Sequence, residues 1–555
     1  MATDYLEDLI GQAKANLQQV QDQPQKIEQK EEEVTQSVQK KDMQQLKQKT
    51  QDEPETENFE KTAIEKELEE NSRKIELKSY GEVKIYRVPG KPLAYYYVPT
   101  PKPTAAERKI INTLKEATTR LIAIAPYKIR NPEERRIIYK QKIIEIIKNN
   151  PNLKIPESRM SFYADAIVRE MVGYGLIDDL IKDDHLEEIM VVGPKKPIYV
   201  FHREYEMMTT NIEFFSEQEI EDLINKIARE VGRRVDVSAP LLDARLTDGS
   251  RVNATIPPAS ISGGTITIRK FRSDPYSIVD LIRYGTINSE AAAFLWMCVD
   301  GLGTKPANIL IAGGTGSGKT TLLNVLASFI SDRERVITIE DTAELNLAIK
   351  HWIRLEARPP GLEGAGEIRM DVLTKNSLRM RPDRILVGEI RHEEAFTLFT
   401  AMNTGHDGCL GTVHANSPEE TLIRVTSPPM SVPSIMMSGL DLIVVEHRYY
   451  DRKKGTIRRI SEIAEVYGAL EGNAKTQTIF QRDPARDELD RTLIESRYLK
   501  VLQTFTGIPK DKIMSELAAR KTFLDNLVSK NIRSLADVSQ NAKDFIQAKQ
   551  AMGGR

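Results

Sequence analysis

Cysteine is nearly absent from this chain: Cys298 and Cys409 are the two it holds, far apart and without partners at metal-ligand spacing. That excludes a disulfide framework and a structural zinc site, and it suits a reducing cytoplasm. Aromatic residues make up only 6%, and charge of one sign is missing too, with 79 Lys and Arg against 81 Asp and Glu. Such a balance gives no global basic excess for nucleic acid, so any polyanion groove would be local. No apolar run is long enough for a transmembrane helix, and the start, Met1-Ala2-Thr3-Asp4-Tyr5, has no basic segment leading into an apolar one. Neither a transmembrane segment nor export is expected, and docking on a membrane protein stays open.

A chain of 555 residues exceeds one core, and roughly two to four folded units are expected. Residues 12–51 hold 13 Gln in a Lys/Glu background, and Ile27, Val34, Val38, Met43 and Leu46 keep no heptad. Residues 1–80 therefore read as a charged, Gln-rich, flexible or helical arm, suited to meeting cytoplasmic regulatory partners rather than to joining a core. Residues 81–272 read as an N-terminal α+β domain. Helices are expected over 105–122, 133–150 and 164–176, and strands over 95–98, 188–192, 198–201, 252–256 and 265–269, between Gly and Pro punctuation. Asp274-Pro275 opens an expected linker, 273–290. Strands and helices then alternate over 291–500, as a mostly parallel sheet requires, and a charged helical tail fills 501–555.

The most informative string is Gly313-Gly314-Thr315-Gly316-Ser317-Gly318-Lys319-Thr320, placed between the apolar run 308–312 and a helical pattern opening at Thr321. Strand, glycine-rich turn and helix in that order make a phosphate loop. Its backbone N–H groups turn inward around a β-phosphate, Lys319 adds a charge toward the β/γ oxygens, and the Thr320 hydroxyl is set to ligate Mg²⁺. The chain should bind ATP with Mg²⁺.

Two buried-strand patterns downstream end in acids, Ile339-Glu340-Asp341 and Val387-Gly388-Glu389. In an open α/β sheet the carboxyl edge of the strands faces the ligand, so these acids should converge on the phosphates. Glu389 is the candidate for orienting the attacking water. Glu340, Asp341 and Glu344 would hold Mg²⁺ through its waters or aid that orientation. His406 and His414 flank the short apolar strand 409–413. Such residues can donate to a γ-phosphate oxygen and sense its loss, an ordinary satisfied loop histidine being the alternative.

The phosphate loop, the 339–341 acids, Ile385-Leu386-Val387-Gly388-Glu389, and Thr404-Gly405-His406 through Thr412-Val413-His414-Ala415-Asn416 follow one another in the order found in the ATPases of type II secretion, type IV pili and archaella, which this chain resembles. The similarity reaches upstream through Asp243-Ala244-Arg245-Leu246, Asp248-Gly249-Ser250-Arg251-Val252 and Ile266-Thr267-Ile268-Arg269, and within the archaeal branch it is greatest to the archaellum motor ATPases. The resemblance implies a RecA-like ATPase domain and a homohexamer in which the N-terminal domain turns over the nucleotide. Lys319 and Thr320 match the Walker A box, Glu340, Asp341 and Glu344 the Asp box, Glu389 the Walker B glutamate, and His406 and His414 the His box. Arg245, Arg251 and Arg269 match basic positions that relatives turn toward the phosphates. It also implies a polytopic membrane platform protein of a pilus or archaellum system as partner, and a peripheral position at the inner face of the membrane. A nucleic-acid translocase of the same P-loop class is the alternative, and the near-neutral, aromatic-poor chain disfavours it.

Overall fold

Two units, Met1–Phe271 and Arg272–Arg555, divide the chain in the computed structural model. The structure describes residues 62–99, parts of 107–118, 132–149, 155–358, 366–451, 455–468 and 474–553, save positions 72 and 273. The Gln-rich stretch 12–51 and most of the helix expected over 105–122 lie outside the described residues.

The first unit carries nine strands: β1 Ile75–Tyr80, β2 Val83–Arg87, β3 Ala94–Tyr97, β4 Leu186–Val191, β5 Pro197–His202, β6 Glu206–Glu213, β7 Leu241–Arg245, β8 Arg251–Thr255 and β9 Thr265–Arg269. They form one sheet in the order β1-β2-β3-β6-β5-β4-β9-β8-β7. Only β3 and β6 pair in parallel, and every other neighbour is antiparallel. Burial alternates along β5, β8 and β9, as expected of strands with one face on a core. Helix Glu217–Glu230 contributes to that core. Its buried Ile220, Leu223, Ile224 and Ile227 recur at helical spacing, and Ser216 caps it by accepting from the Glu219 N–H at 3.3 Å.

The second unit holds β10 Ile309–Gly313, β11 Val336–Glu340, β12 Trp352–Glu356, β13 Arg384–Ile390, β14 Leu410–Val413, β15 Leu442–Asp451, β16 Gly455–Tyr467, β17 Lys475–Asp483 and β18 Glu488–Arg491. Their order is β12-β11-β13-β14-β10-β15-β16-β17-β18. Strands β12 to β15 run parallel and the remainder is antiparallel, so the sheet is mostly parallel, as expected. Every residue of β10 is buried. Ile309 and Ile311 join a cluster with Leu322, Leu323 and Leu326, while Leu310 and Ala312 join Leu398, Phe399 and Val425. A strand covered on both faces must be apolar throughout, and this explains the unbroken run before the glycines.

Three segments depart from expectation. Residues 62–80, assigned to the arm, belong to the first unit's core: helix Ala63–Glu70 buries Ile64 and Leu68 against Val88 and Tyr95, and β1 pairs with β2 in the sheet. The stretch 273–290 is core rather than linker: helix Ile278–Arg283 opens on a Ser277/Asp280 capping box, and Ile278, Val279 and Leu281 are buried in the main cluster. Nor are the C-terminal helices an appendage. Leu517, Leu524 and Leu527 of helix Lys510–Ser529 share one cluster with helix Ser289–Asp300. Buried Trp296 stacks on Phe329 at 5.1 Å and meets Phe523 and Phe545, with the Arg520 guanidinium 4.7 Å above its ring. The charged surface of these helices hides an apolar stripe that only packing reveals.

Candidate functional site

Because β10, β11, β13 and β14 are parallel, their carboxyl ends lie along one edge. Residues 313–318 leave β10 there, and helix Lys319–Ala327 begins at once. Two glycines make the turn. Gly316 has φ of +69° and Gly318 +114°, and a Cβ on Gly318 would stand 2.6 Å from Glu446 Oε1. Lys319 is buried, its Nζ donating to the Gly314 carbonyl at 2.8 Å, and burial lowers its ammonium against the opposing pull of Glu389 and Glu446. Thr320 and Thr321 follow in the first helical turn, where N–H groups lack intrahelical partners and favour an anion. Ser317 Oγ is buried without a hydrogen-bond partner among the described residues.

Glu389 arrives from β13. That strand pairs Val387 with Gly411 and Ile390 with Val413, three steps against two, so one residue is bulged next to Glu389. Arg391 Nη2 donates to Glu389 Oε2 at 2.6 Å. His414, just past β14, puts Nε2 2.8 Å from Oε1, and Oε1 accepts no well-aligned hydrogen bond. Burial pushes the Glu389 carboxyl up, but the Arg391 hydrogen bond and the charges of Arg391 and Lys319 outweigh it and hold the group below the ordinary glutamate value. His414 is lowered by burial and by Lys319, Arg391 and Arg424, against the pull of Glu389. The pair is therefore carboxylate beside neutral imidazole at pH 7. A carboxylate anchored by one oxygen, with the other buried beside a neutral imidazole and accepting no aligned hydrogen bond, keeps an unused acceptor for the proton of a water.

Glu340, ending β11, differs. Its Oε1 accepts the N–H groups of Glu344 and Leu345 at 2.7 and 2.8 Å, while Oε2 is buried without a partner. Burial pushes its carboxyl up to about 7, against those two hydrogen bonds. Asp341 and Glu344 are exposed on the turn that Glu340 holds, and Asp341 acts electrostatically on Arg391. The oxygen donors here, the Thr320 hydroxyl, Asp341 and the orphaned Glu340 Oε2, are of the hard type that Mg²⁺ takes. No cluster of three or more His, Cys, Asp or Glu suited to a metal occurs among the described residues.

His406 is not brought to the loop. Leu410 pairs with Ile309 at the start of β10, and His406 lies four residues earlier, its N–H bonded to the Ala401 carbonyl at 3.1 Å. The four residues of β14, about 13 Å at strand rise, separate it from the edge that His414 occupies. The expectation that His406 touches the nucleotide is corrected accordingly: the two histidines bracket the strand, so only one reaches the phosphate edge.

In the first unit, Arg245 pairs with Arg251 and Arg251 with Arg269 across β7, β8 and β9, and Arg269 pairs with Glu188. Three arginines widely spaced in sequence thus form one row. Arg251 is bound by Asp243, with Nη2 to Oδ2 at 2.8 Å and Nε to Oδ1 at 3.2 Å.

The phosphate loop also has neighbours not anticipated from sequence. Glu446 of β15 is buried opposite Gly313, and burial pushes its carboxyl up to about 8, against the charges of Arg458 and Lys319. It ends the run Leu442-Ile443-Val444-Val445, the same signature that marks Glu340, and could have been found by it. Arg458 Nε donates to the Gly316 carbonyl at 2.9 Å across 142 residues of chain, a contact with no local signal.

A family profile described as Type II/IV secretion system protein matches residues 170–466. This chain belongs to that family of secretion ATPases. The protein MJ0781 of Methanocaldococcus jannaschii is 34% identical over 70% of this chain and 77% of its own length. The putative conjugal transfer protein Rv3659c of Mycobacterium tuberculosis is 32% identical over 57% of this chain and 90% of its own. Among solved structures, the VirB11 ATPase of the Brucella suis type IV secretion system aligns over 51% of this chain and 90% of its own, at 26% identity and a TM-score of 0.27. No helix among the described residues is long and apolar enough to cross a membrane.

Proposed function

We propose that this protein is the Mg²⁺-dependent, ATP-hydrolysing motor of a secretion or filament-assembly machine, working as a homohexamer on a polytopic membrane platform protein, with the archaellum or a type IV pilus-like filament as the object assembled. The observation that carries the hydrolytic reading is Glu389, held ionised by Arg391 on one oxygen, with the other buried beside His414 and accepting no aligned hydrogen bond, at the sheet edge that also bears the phosphate loop. The loop N–H groups and Lys319 bind the β- and γ-phosphates, and Glu389 Oε1 orients the attacking water and accepts its proton. Arg391 is a positioning residue, fixing the carboxylate so that Oε1 faces the water. Neutral His414 senses whether that oxygen is engaged. Thr320 and Asp341 would hold Mg²⁺, with Glu340 fixing the turn that carries Asp341. When bound, the ion neutralises charge between the β- and γ-phosphates.

Identity to the Methanocaldococcus relative favours the archaeal branch. The conjugal-transfer relative supports a second reading, transport of nucleic acid by the same engine. One assay separates them: turnover of the purified chain with archaeal polar lipid, and separately with single-stranded DNA. The motor reading expects stimulation by lipid alone and specific activity that rises steeply with protein concentration through the assembly midpoint. Stimulation by DNA alone, or concentration-independent turnover from a demonstrated monomer, would overturn it.

A further inference from the structure

The hairpin of β15 and β16 lies against the phosphate loop on the side opposite the hydrolytic residues. In the sheet order β13-β14-β10-β15, Glu389 and His414 come from one flank of β10 and the hairpin from the other. Arg448 and Arg458 are paired in register across this hairpin, so their side chains leave the same face. Arg458 Nε bonds the Gly316 carbonyl at 2.9 Å, and Arg448 Nη1 lies 3.0 Å from where a Cβ on Gly316 would stand. Both guanidiniums therefore meet the tip of the loop.

Two arginines side by side repel, and cross-strand like charges are normally relieved by an acid. The neighbouring Arg459, on the other face, is relieved by Asp487 at 2.8 Å. Among the described residues, neither Arg448 nor Arg458 has an ion-pair partner. Glu446 is buried below the loop and pushed up to about 8, so at pH 7 it is mostly uncharged. The pair thus points unneutralised charge at an anion-binding turn. Backbone geometry gives Arg458 a second effect. The peptide from Gly316 to Ser317 is trans, so its C=O and N–H point in opposite directions. Holding the Gly316 carbonyl on Arg458 turns the Ser317 N–H away from the hairpin, to the inner side of the loop, where it meets the Gly314 carbonyl at 3.4 Å.

We propose that the hairpin arginines complete the phosphate site, Arg448 binding oxygens of the α- and β-phosphates directly and Arg458 acting as a positioning residue that presets the loop. The ligand class is a nucleoside di- or triphosphate, and the inference rests on the nucleotide site proposed above. Approach from the flank away from Glu389 makes these contacts common to ATP and ADP. This sets them apart from any residue that reads the γ-phosphate.

Titration calorimetry with ATP and with ADP on the full chain tests this, with melting temperature as the fold control. Arg448→Ala should weaken both nucleotides by the same factor, on the order of tenfold, as loss of a charge-assisted contact does. Arg458→Ala should also weaken both and raise KM more than it lowers kcat, and Arg458→Lys should recover part of the loss. If Arg448→Ala lowers the melting temperature, Arg448→Gln, which keeps most of the side chain, replaces it. Unchanged affinity in the folded variants overturns the proposal, as does a loss confined to ATP. Lys319→Ala runs beside them: if it too leaves binding intact, the nucleotide site itself is wrong, whereas loss there with intact binding in the arginine variants rejects the hairpin alone.

Discussion

Glu389 and Glu340 end adjacent strands with the same sequence signature, an apolar run closed by an acid, and their carboxyls finish in opposite states. Glu389 is held below the ordinary value by a guanidinium at 2.6 Å and a lysine nearby, with its other oxygen beside His414 and accepting no aligned hydrogen bond. Glu340 has its accepting oxygen committed to two backbone N–H groups and is pushed up to about 7 by burial. Glu446, on the far flank of the loop, is pushed higher still, to about 8. What separates a base from a structural acid here is direct pairing: a guanidinium hydrogen-bonded to Glu389 favours its charged form, whereas Glu340 and Glu446 meet cations only at a distance and burial governs them. Strand-end position alone does not distinguish them.

Breaking that contrast at its strongest point means Glu389→Gln. The amide keeps the shape and the Arg391 contact but cannot accept a proton, so kcat should fall by about 10²–10⁴ while nucleotide affinity holds. Single-turnover hydrolysis beside equilibrium binding measures both, and near-normal turnover would remove Glu389 from its role. Glu340→Ala should act mainly on stability. Two backbone N–H groups lose their acceptor, a cost of about 1–3 kcal/mol in unfolding free energy, and turnover should stay at least roughly tenfold above that of Glu389→Gln. Urea midpoints read the first quantity. Equal inactivation with undiminished stability would erase the distinction drawn between the two acids.

The last test concerns Glu446 and has a definite sign. Its folded carboxyl titrates near 8 and an unperturbed one near 4.5, so the folded state keeps a proton that the unfolded state releases. The contribution of Glu446 to stability is therefore full below pH 4.5 and declines as pH rises toward about 8. Glu446→Gln should flatten that decline, seen as a smaller difference between urea midpoints at the two ends of the window. An unaltered slope would assign the decline to other groups.

Much of the site was legible because phosphate binding needs a local string: strand, glycines, Lys319 and Thr320 are contiguous, and their chemistry depends on that contiguity. Glu389 was legible for a related reason, since a buried parallel strand must deliver its last side chain to the ligand edge. What stayed hidden was set by distance along the chain. Arg458 lies 142 residues from the carbonyl it holds. His406 matched a motif as well as His414 does, and only the register of β14 separates them. The stretch 273–290 read as a linker because Asp274-Pro275 punctuates it, yet its next turn is a capped, buried helix. The charged C-terminal helices read as a tail because their apolar stripe is diluted by exposed lysines and acids. In both segments, packing against helix Ser289–Asp300 or its neighbours decided what local composition could not.

The aromatic nest around helix Ser289–Asp300 has an optical consequence. The chain contains two tryptophans, and both Trp296 and Trp352 belong to the C-terminal unit. Trp296 is sealed among Phe329, Phe523 and Phe545, whereas Trp352 lies part-buried on the edge strand next to β11, its indole N–H donating to Thr338 at 2.9 Å. Selective excitation of indole therefore watches one unit and leaves the other dark. A blue-shifted, quench-resistant component should come from Trp296 and a more solvent-accessible one from Trp352, so that detachment of the C-terminal helices and fraying of the sheet edge would appear as separable changes in emission.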